Sequence, residues 1–168
     1  RRQRYRGELD RIALVRSGDD TEWAIEKEYL QPVLRNPDAY RSVRIEVRAV
    51  PDRVLVVHAP PEALKDTAVA AYIAHGEKRA YGMGKDRRLV PARTLTCAAR
   101  KYWYQLPSLV PSRVIWQKAL DVYHRHFLAS RRVLANQRFY LVYPRRKEHT
   151  ETLAAFLNSS LVALCLEF

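Results

Sequence analysis

Between residues 78 and 147 the chain carries 17 Lys and Arg against two acids, Asp86 and Asp121, a surplus of +15. A globular surface needs charge for solubility, but it normally mixes the signs. Seventy residues with almost no acid build a sustained positive potential. The rest of the chain sharpens the contrast. Residues 1–77 balance 13 bases against 13 acids, and residues 148–168 hold three acids and no Lys or Arg, for a net charge of +12. A general preference for basic residues would spread the bias along the chain. The commonest polyanion to meet such a surface is nucleic acid.

The segregation divides the chain. Residues 1–147 read as one recognition domain, with 1–77 a neutral scaffold and 78–147 the basic part that faces the polyanion. Residues 148–168 read as a C-terminal helix packed on that domain or on a partner. At 168 residues, 48% hydrophobic and with ten Tyr, the chain can bury a core and is not a disordered basic tail. Cys97 and Cys165 lie far apart without metal-ligand spacing. Cys165 falls in an apolar run, which implies a buried thiol in a reducing, cytoplasmic setting. The run Leu161–Leu166 is too short to span a bilayer, so no membrane partner is expected. No signal-peptide core follows the basic start. The chain opens on Arg-Arg-Gln-Arg without Met and stops at Leu-Glu-Phe inside a helical pattern, which reads as a piece of something larger.

The fold class expected is α+β: a mixed, largely antiparallel sheet with a few short helices and a C-terminal amphipathic helix. Residues 8–16 and the segment around Trp23 read as strands flanking the turn Ser17–Asp20. Ile25, Tyr29, Leu30 and Val33 recur at helical spacing and predict a short helix over Ile25–Leu34. Val43, Ile45, Val47 and Ala49 alternate with Arg44, Glu46 and Arg48, predicting a strand that forms a hairpin with Val54–Val57. Asp66 is placed to cap a helix ending near His75, with Gly76 as its terminator. Residues 77–92 lack any period. Beyond them Tyr102–Tyr104, Arg113–Lys118, Tyr123–Leu128 and Ala135–Tyr143 read as strands joined by short basic turns. From Thr150, Leu153, Phe156, Leu157, Leu161, Leu164, Cys165 and Phe168 form one wide apolar helical face.

Several chemistries can be tested against the residues. Gly82-Met83-Gly84-Lys85 superficially suggests a phosphate loop. The Walker pattern needs Gly where Arg79 stands and Ser or Thr where Asp86 stands. His124 and His126 share a strand face, but no Cys and no carboxylate except Asp121 stands near, so solvated histidines are the expectation. A metal-dependent nuclease needs an acidic pair followed by Lys. Asp38 with Glu46 comes closest, and Arg48 occupies the Lys position. Arg100-Lys101-Tyr102-Trp103-Tyr104 mixes cations and rings as single-strand binders do, so a basic RNA-binding module stacking bases on Tyr102 and Tyr104 is one alternative. A degenerate nuclease is the other.

Some local patterns recur in an order typical of a known module. Ile25–Leu34 is an acidic stretch running into Leu30-Gln31-Pro32-Val33-Leu34. Then come Val54–Val57, Ala68–Ile73, Trp103-Tyr104-Gln105-Leu106, Arg113–Lys118 and Phe139–Pro144. Leu157-Asn158-Ser159-Ser160-Leu161 closes the series. This order resembles the TaqI-like C-terminal specificity domain, or target recognition domain, of adenine-specific DNA methyltransferases and fused restriction–modification enzymes. The resemblance covers the chain from Trp23 onward. It implies a sequence-specific double-stranded DNA recognition domain without catalysis or cofactor of its own. The parent protein would transfer a methyl group from S-adenosylmethionine to adenine N6, and its catalytic domain would be a partner of this fragment. Asn36-Pro37-Asp38-Ala39-Tyr40 is not the Pro-Pro-aromatic loop that holds a flipped adenine, because the second proline is missing.

Arginine predominates among the basic residues, and its rigid fork suits bidentate contact to guanine and phosphate. The residues expected to touch DNA are Lys85, Arg87, Arg88, Arg100, Lys101, Arg113, Lys118, Arg125, Arg131, Arg132 and Arg138. No catalytic or metal-binding residue is expected.

Overall fold

The computed structural model describes residues 10–82, 88–119 and 125–167. The chain forms two compact units, one built from Arg1–Leu30 and Leu55–Pro107, the other from Gln31–Val54 and Ser108–Phe168. The fold class is α+β, as the sequence implied.

In the first unit β1 (Ile12–Arg16) pairs antiparallel with β2 (Glu22–Glu26) around a turn in which Asp20 takes φ 59°. Helix α1 (Ala68–Lys78) packs Val69 and Ile73 with Trp23, Ile25, Val57, Leu64 and Tyr104. Its start is capped differently from the expectation. Thr67 occupies the cap position, and the Glu26 carboxylate accepts from the Ala68 and Val69 amides. An anion there complements the helix dipole. Gly76 does not end the helix; it lies inside it and is buried. A β-carbon at Gly76 would run into the Trp103 ring, so its smallness serves packing. Two-residue strands β6 (Tyr81–Gly82) and β7 (Arg88–Leu89) pair antiparallel, and the short α2 covers Leu95–Ala98. The Tyr102–Tyr104 segment is a turn and not a strand.

The second unit holds β3 (Leu30–Leu34), β4 (Arg44–Ile45), β5 (Arg53–Leu55), β8 (Ser112–Gln117), β9 (His126–Ala135) and β10 (Phe139–Val142). The strand order is β10-β8-β9-β3-β5, with β4 also on β9. The pairs of β8 with β9 and β10 are antiparallel, and those of β9 with β3 and β4 are parallel. Leu34, Ile45, Val47, Ile115, Phe127, Val133 and Phe139 fill its core. On another cluster α3 (Thr150–Leu157) sets Ala154 and Leu157 against Val114 and Leu128.

Further expectations fail here. Ile25–Leu34 is not a helix. Ile25 belongs to β2, Lys27–Tyr29 is a 3-10 turn, and Leu30–Leu34 is β3, with Pro32 unable to donate an interior helical hydrogen bond. The Val43–Ala49 strand shrinks to two residues, because Glu46 accepts from the Arg48 amide and bends Val47–Ala49 into a 3-10 turn. Its hairpin with Val54–Val57 is absent, since β4 pairs with β9. The single C-terminal helix is two, α3 and α4 (Ser160–Glu167), separated at Asn158-Ser159. Leu157 is 5% exposed, but Leu161 is 59% and Phe156 53% exposed. Cys165, expected to be buried, is also exposed.

Candidate nucleic-acid interface

The basic segment crosses the unit boundary at Pro107, so each unit carries part of it. Lys85, Arg87 and His124 lie outside the described residues. Of Arg88 only the backbone is described, in β7.

In the first unit Arg100 donates to the Gln105 carbonyl at 3.1 Å, and Lys101 is exposed with its ammonium 5.4 Å from the Tyr102 ring centre. Tyr102 and Tyr104 stack at 5.7 Å, yet they do not offer two platforms to a nucleic acid. Tyr104 is 9% exposed, and its hydroxyl donates to the Ala59 carbonyl at 2.8 Å. Burial also pushes its pKa up. Trp103 donates to Glu77 at 3.2 Å. These rings belong to the core that surrounds α1.

In the second unit the candidate cations separate into three groups. Arg113 is tied down: its Nε donates to the Ala129 carbonyl at 3.1 Å and its Nη2 meets Glu151 at 2.8 Å. A backbone amide first, and then the Arg113 bond, hold the Glu151 carboxyl below its usual range. Arg125 donates to the Arg41 carbonyl at 3.1 Å. Both residues fasten elements together. Arg131 and Arg132 differ. Between its paired residues Leu128 and Val133, β9 carries four residues where β8 carries only Arg113. Such an excess bends the strand, and Ser130, Arg131 and Arg132 are all exposed. These arginines were expected in a turn and instead sit within a ten-residue strand.

Lys118 and Arg138 lie at one end of the sheet, where the Lys118 amide donates to the Arg138 carbonyl at 3.0 Å. The Lys118 ammonium stands 4.2 Å over the ring of Tyr140, which is 58% exposed. An exposed ring beside a cation is a surface on which a base can stack. Arg138 gives one N–H to Asn36 Oδ1 at 3.3 Å. Tyr140, Gln117 and Gln137 were not singled out in the sequence, and Asn36 was weighed only as the start of the Asn36–Tyr40 loop. The Asn136-Gln137-Arg138 turn between β9 and β10 fell inside the strand expected over Ala135–Tyr143, which is why these residues were passed over.

The rival sites contain ordinary structural work. His126 is fully buried and not solvated. Its backbone is bonded on both sides by the Asn158 amide, at 2.9 Å each way, and its ring packs 4.5 Å from Trp116. Asp38 lies in a 3-10 turn capped by Asn36. The Glu46 carboxyl is held below its usual range by the Arg48 amide first and then by the Ser130 hydroxyl. Among the described residues no group of three or more His, Cys, Asp or Glu is placed to hold a metal. No helix among them is long and apolar enough to cross a membrane. Compared with known proteins, the chain matches no family model, no curated protein and no solved structure.

Proposed function

We propose that this chain is a double-stranded DNA recognition module, the target-recognition part of a site-specific adenine-N6 methyltransferase of the restriction–modification type. The observation that carries the reading is the charge segregation. Seventeen cations with two acids occupy residues 78–147, and Arg131 and Arg132 are exposed on the bulged part of β9. An enzyme that modifies one base must find a sequence and then extrude that base, so recognition and catalysis fall to separate surfaces. In the parent the catalytic domain would bind S-adenosylmethionine, and this module would supply register and site choice. Phosphate contacts fix register, and base contacts specify.

Duplex binding across a salt series tests the reading. With roughly six phosphate contacts, the slope of log affinity against log salt is about −5. Replacing Arg131 and Arg132 with Ala flattens the slope by about one unit per lost contact. Arg16→Ala, in the charge-balanced segment, leaves it unchanged. A single-stranded RNA competitor that displaces duplex at equal concentration would count against duplex recognition.

A further inference from the structure

The strongest unassigned feature is a shallow depression at one end of the second unit's sheet, lined by Asn36, Asp38, Gln117, Lys118, Gln137 and Arg138. Three short turns bring these residues together. Asn36 accepts from the Asp38 amide at 3.4 Å and from Arg138 at 3.3 Å, which fixes its carbonyl oxygen. Gln117 is 8% exposed and donates its amide to the Ala119 carbonyl at 2.7 Å. That bond fixes which end of the amide is oxygen, so Gln117 presents a set acceptor. Asn136 anchors the third turn by donating to the Arg35 carbonyl at 2.9 Å and accepting from the Arg138 amide at 3.0 Å.

The chemistry of this lining is not that of a phosphate site. Phosphate is acceptor-only and anionic, and the Asp38 carboxylate would repel it. Four neutral or cationic donors with fixed acceptors and one carboxylate instead match a surface that both donates and accepts. The major-groove edge of a base pair is such a surface, where Arg and Lys read guanine, amides read adenine, and Asp accepts from the cytosine amino group. We infer that this depression reads base edges in duplex DNA, with Gln137, Arg138, Lys118 and Asp38 setting sequence preference. The inference rests on the proposed duplex recognition and divides the labour: the depression specifies, while Arg131 and Arg132 hold phosphate.

The experiment starts by selecting a preferred duplex from a random pool with the full chain. Affinities for that duplex and for a scrambled one are then measured across salt. Gln137→Ala and Asp38→Asn are each expected to cut the preference for the selected duplex about tenfold at one or two positions, leaving the salt slope in place. Arg131→Ala with Arg132→Ala is expected to weaken both duplexes alike and flatten the slope. If Gln137→Ala and Asp38→Asn weaken both duplexes equally or leave the preference intact, the depression does not read bases, although duplex recognition stands. If the wild-type chain shows no salt-dependent duplex binding, both readings fall. Circular dichroism of each variant separates misfolding from lost contact. If Asp38→Asn perturbs the turn, Gln137→Ala alone decides, since Gln137 is exposed.

Discussion

Single residues in this chain settle matters that periodicity leaves open. Asp19 sits in the β1–β2 turn, where it accepts from the Ser17 hydroxyl and from the Thr21 amide at 3.4 Å. Nearby are His75 Nε2 at 3.5 Å and Arg79 Nε at 3.7 Å. The Ser17 hydroxyl bond is the main cause holding its carboxyl well below the usual carboxylate range, against a smaller opposing effect of burial. A depressed folded pKa stabilises the fold above the unfolded value and loses that stability as pH falls toward the folded value. The expected outcome is a melting temperature that declines from near pH 4 downward. Asp19→Asn should melt below wild type at pH 7, with the gap narrowing as the pH falls, as thermal scans across pH will record. Gly76 offers a second test. Helix propensity favours Ala over Gly by about 1 kcal/mol, yet the Trp103 ring fills the space a β-carbon needs. Steric conflict should win, so Gly76→Ala should destabilise by roughly 1–2 kcal/mol in urea titration and shift Trp fluorescence.

At the scale of elements, side-chain hydrogen bonds decide where regular structure stops. Leu153, Phe156, Leu157 and Leu161 predict one helix, and that prediction is right about period and wrong about continuity. Asn158 takes the break: it donates to the Ala154 carbonyl at 2.8 Å and clamps the backbone of His126 at the start of β9. Asn158→Ala gives up three hydrogen bonds, and the expected loss is about 2–3 kcal/mol in chemical denaturation. Leu157→Ala should cost about 2–5 kcal/mol, because the side chain is buried, while Leu161→Ala should change stability by less than about 0.5 kcal/mol. Strands with strong alternation and a partner, such as Arg113–Lys118, were legible in the sequence and match β8 closely. The Ile25–Leu34 segment was not, since two strands around a 3-10 turn imitate helical spacing. Neither was the Val43–Ala49 segment, where a Glu46 side-chain bond to the chain two residues on overrides alternation. Of the candidate site, the exposed arginines of β9 were legible from charge. The depression was not, because it joins residues roughly 100 positions apart, as Asn36 and Arg138 are.

Over the whole molecule the chain passes between its two units after Leu30, Val54 and Pro107. Neither unit is continuous in sequence, so neither can be cut out as a single segment. Residues 108–168 alone lack β3, β4 and β5, and β9 would lose both of its parallel partners. That fragment should show no cooperative melting transition, whereas the full chain should, and calorimetry distinguishes the two. The same interleaving distributes the charge. Counted over its two segments, the first unit is +5, with 16 bases and 11 acids, and the second is +7, with 14 bases and 7 acids. The contrast along the sequence is therefore softer between units than between segments, and affinity should fall with salt even after either unit alone is neutralised at its exposed arginines.

The clamp that joins α3 to β9 has a chemical consequence as well. Its side chain needs an oxygen on one side and an NH2 on the other, because it accepts from the His126 amide and donates to two carbonyls. Gln is a methylene too long and Asp offers no N–H, so the position is closed to both near-isosteres. Asn158 is followed by Ser159, whose backbone nitrogen can attack the side-chain carbonyl, expel ammonia and leave a cyclic imide that water opens to Asp or isoaspartate. Either product sets an anion against the Ala154 and His126 carbonyls, and isoaspartate also lengthens the backbone by one carbon. Deamidation at this one position would be felt as the undocking of a helix.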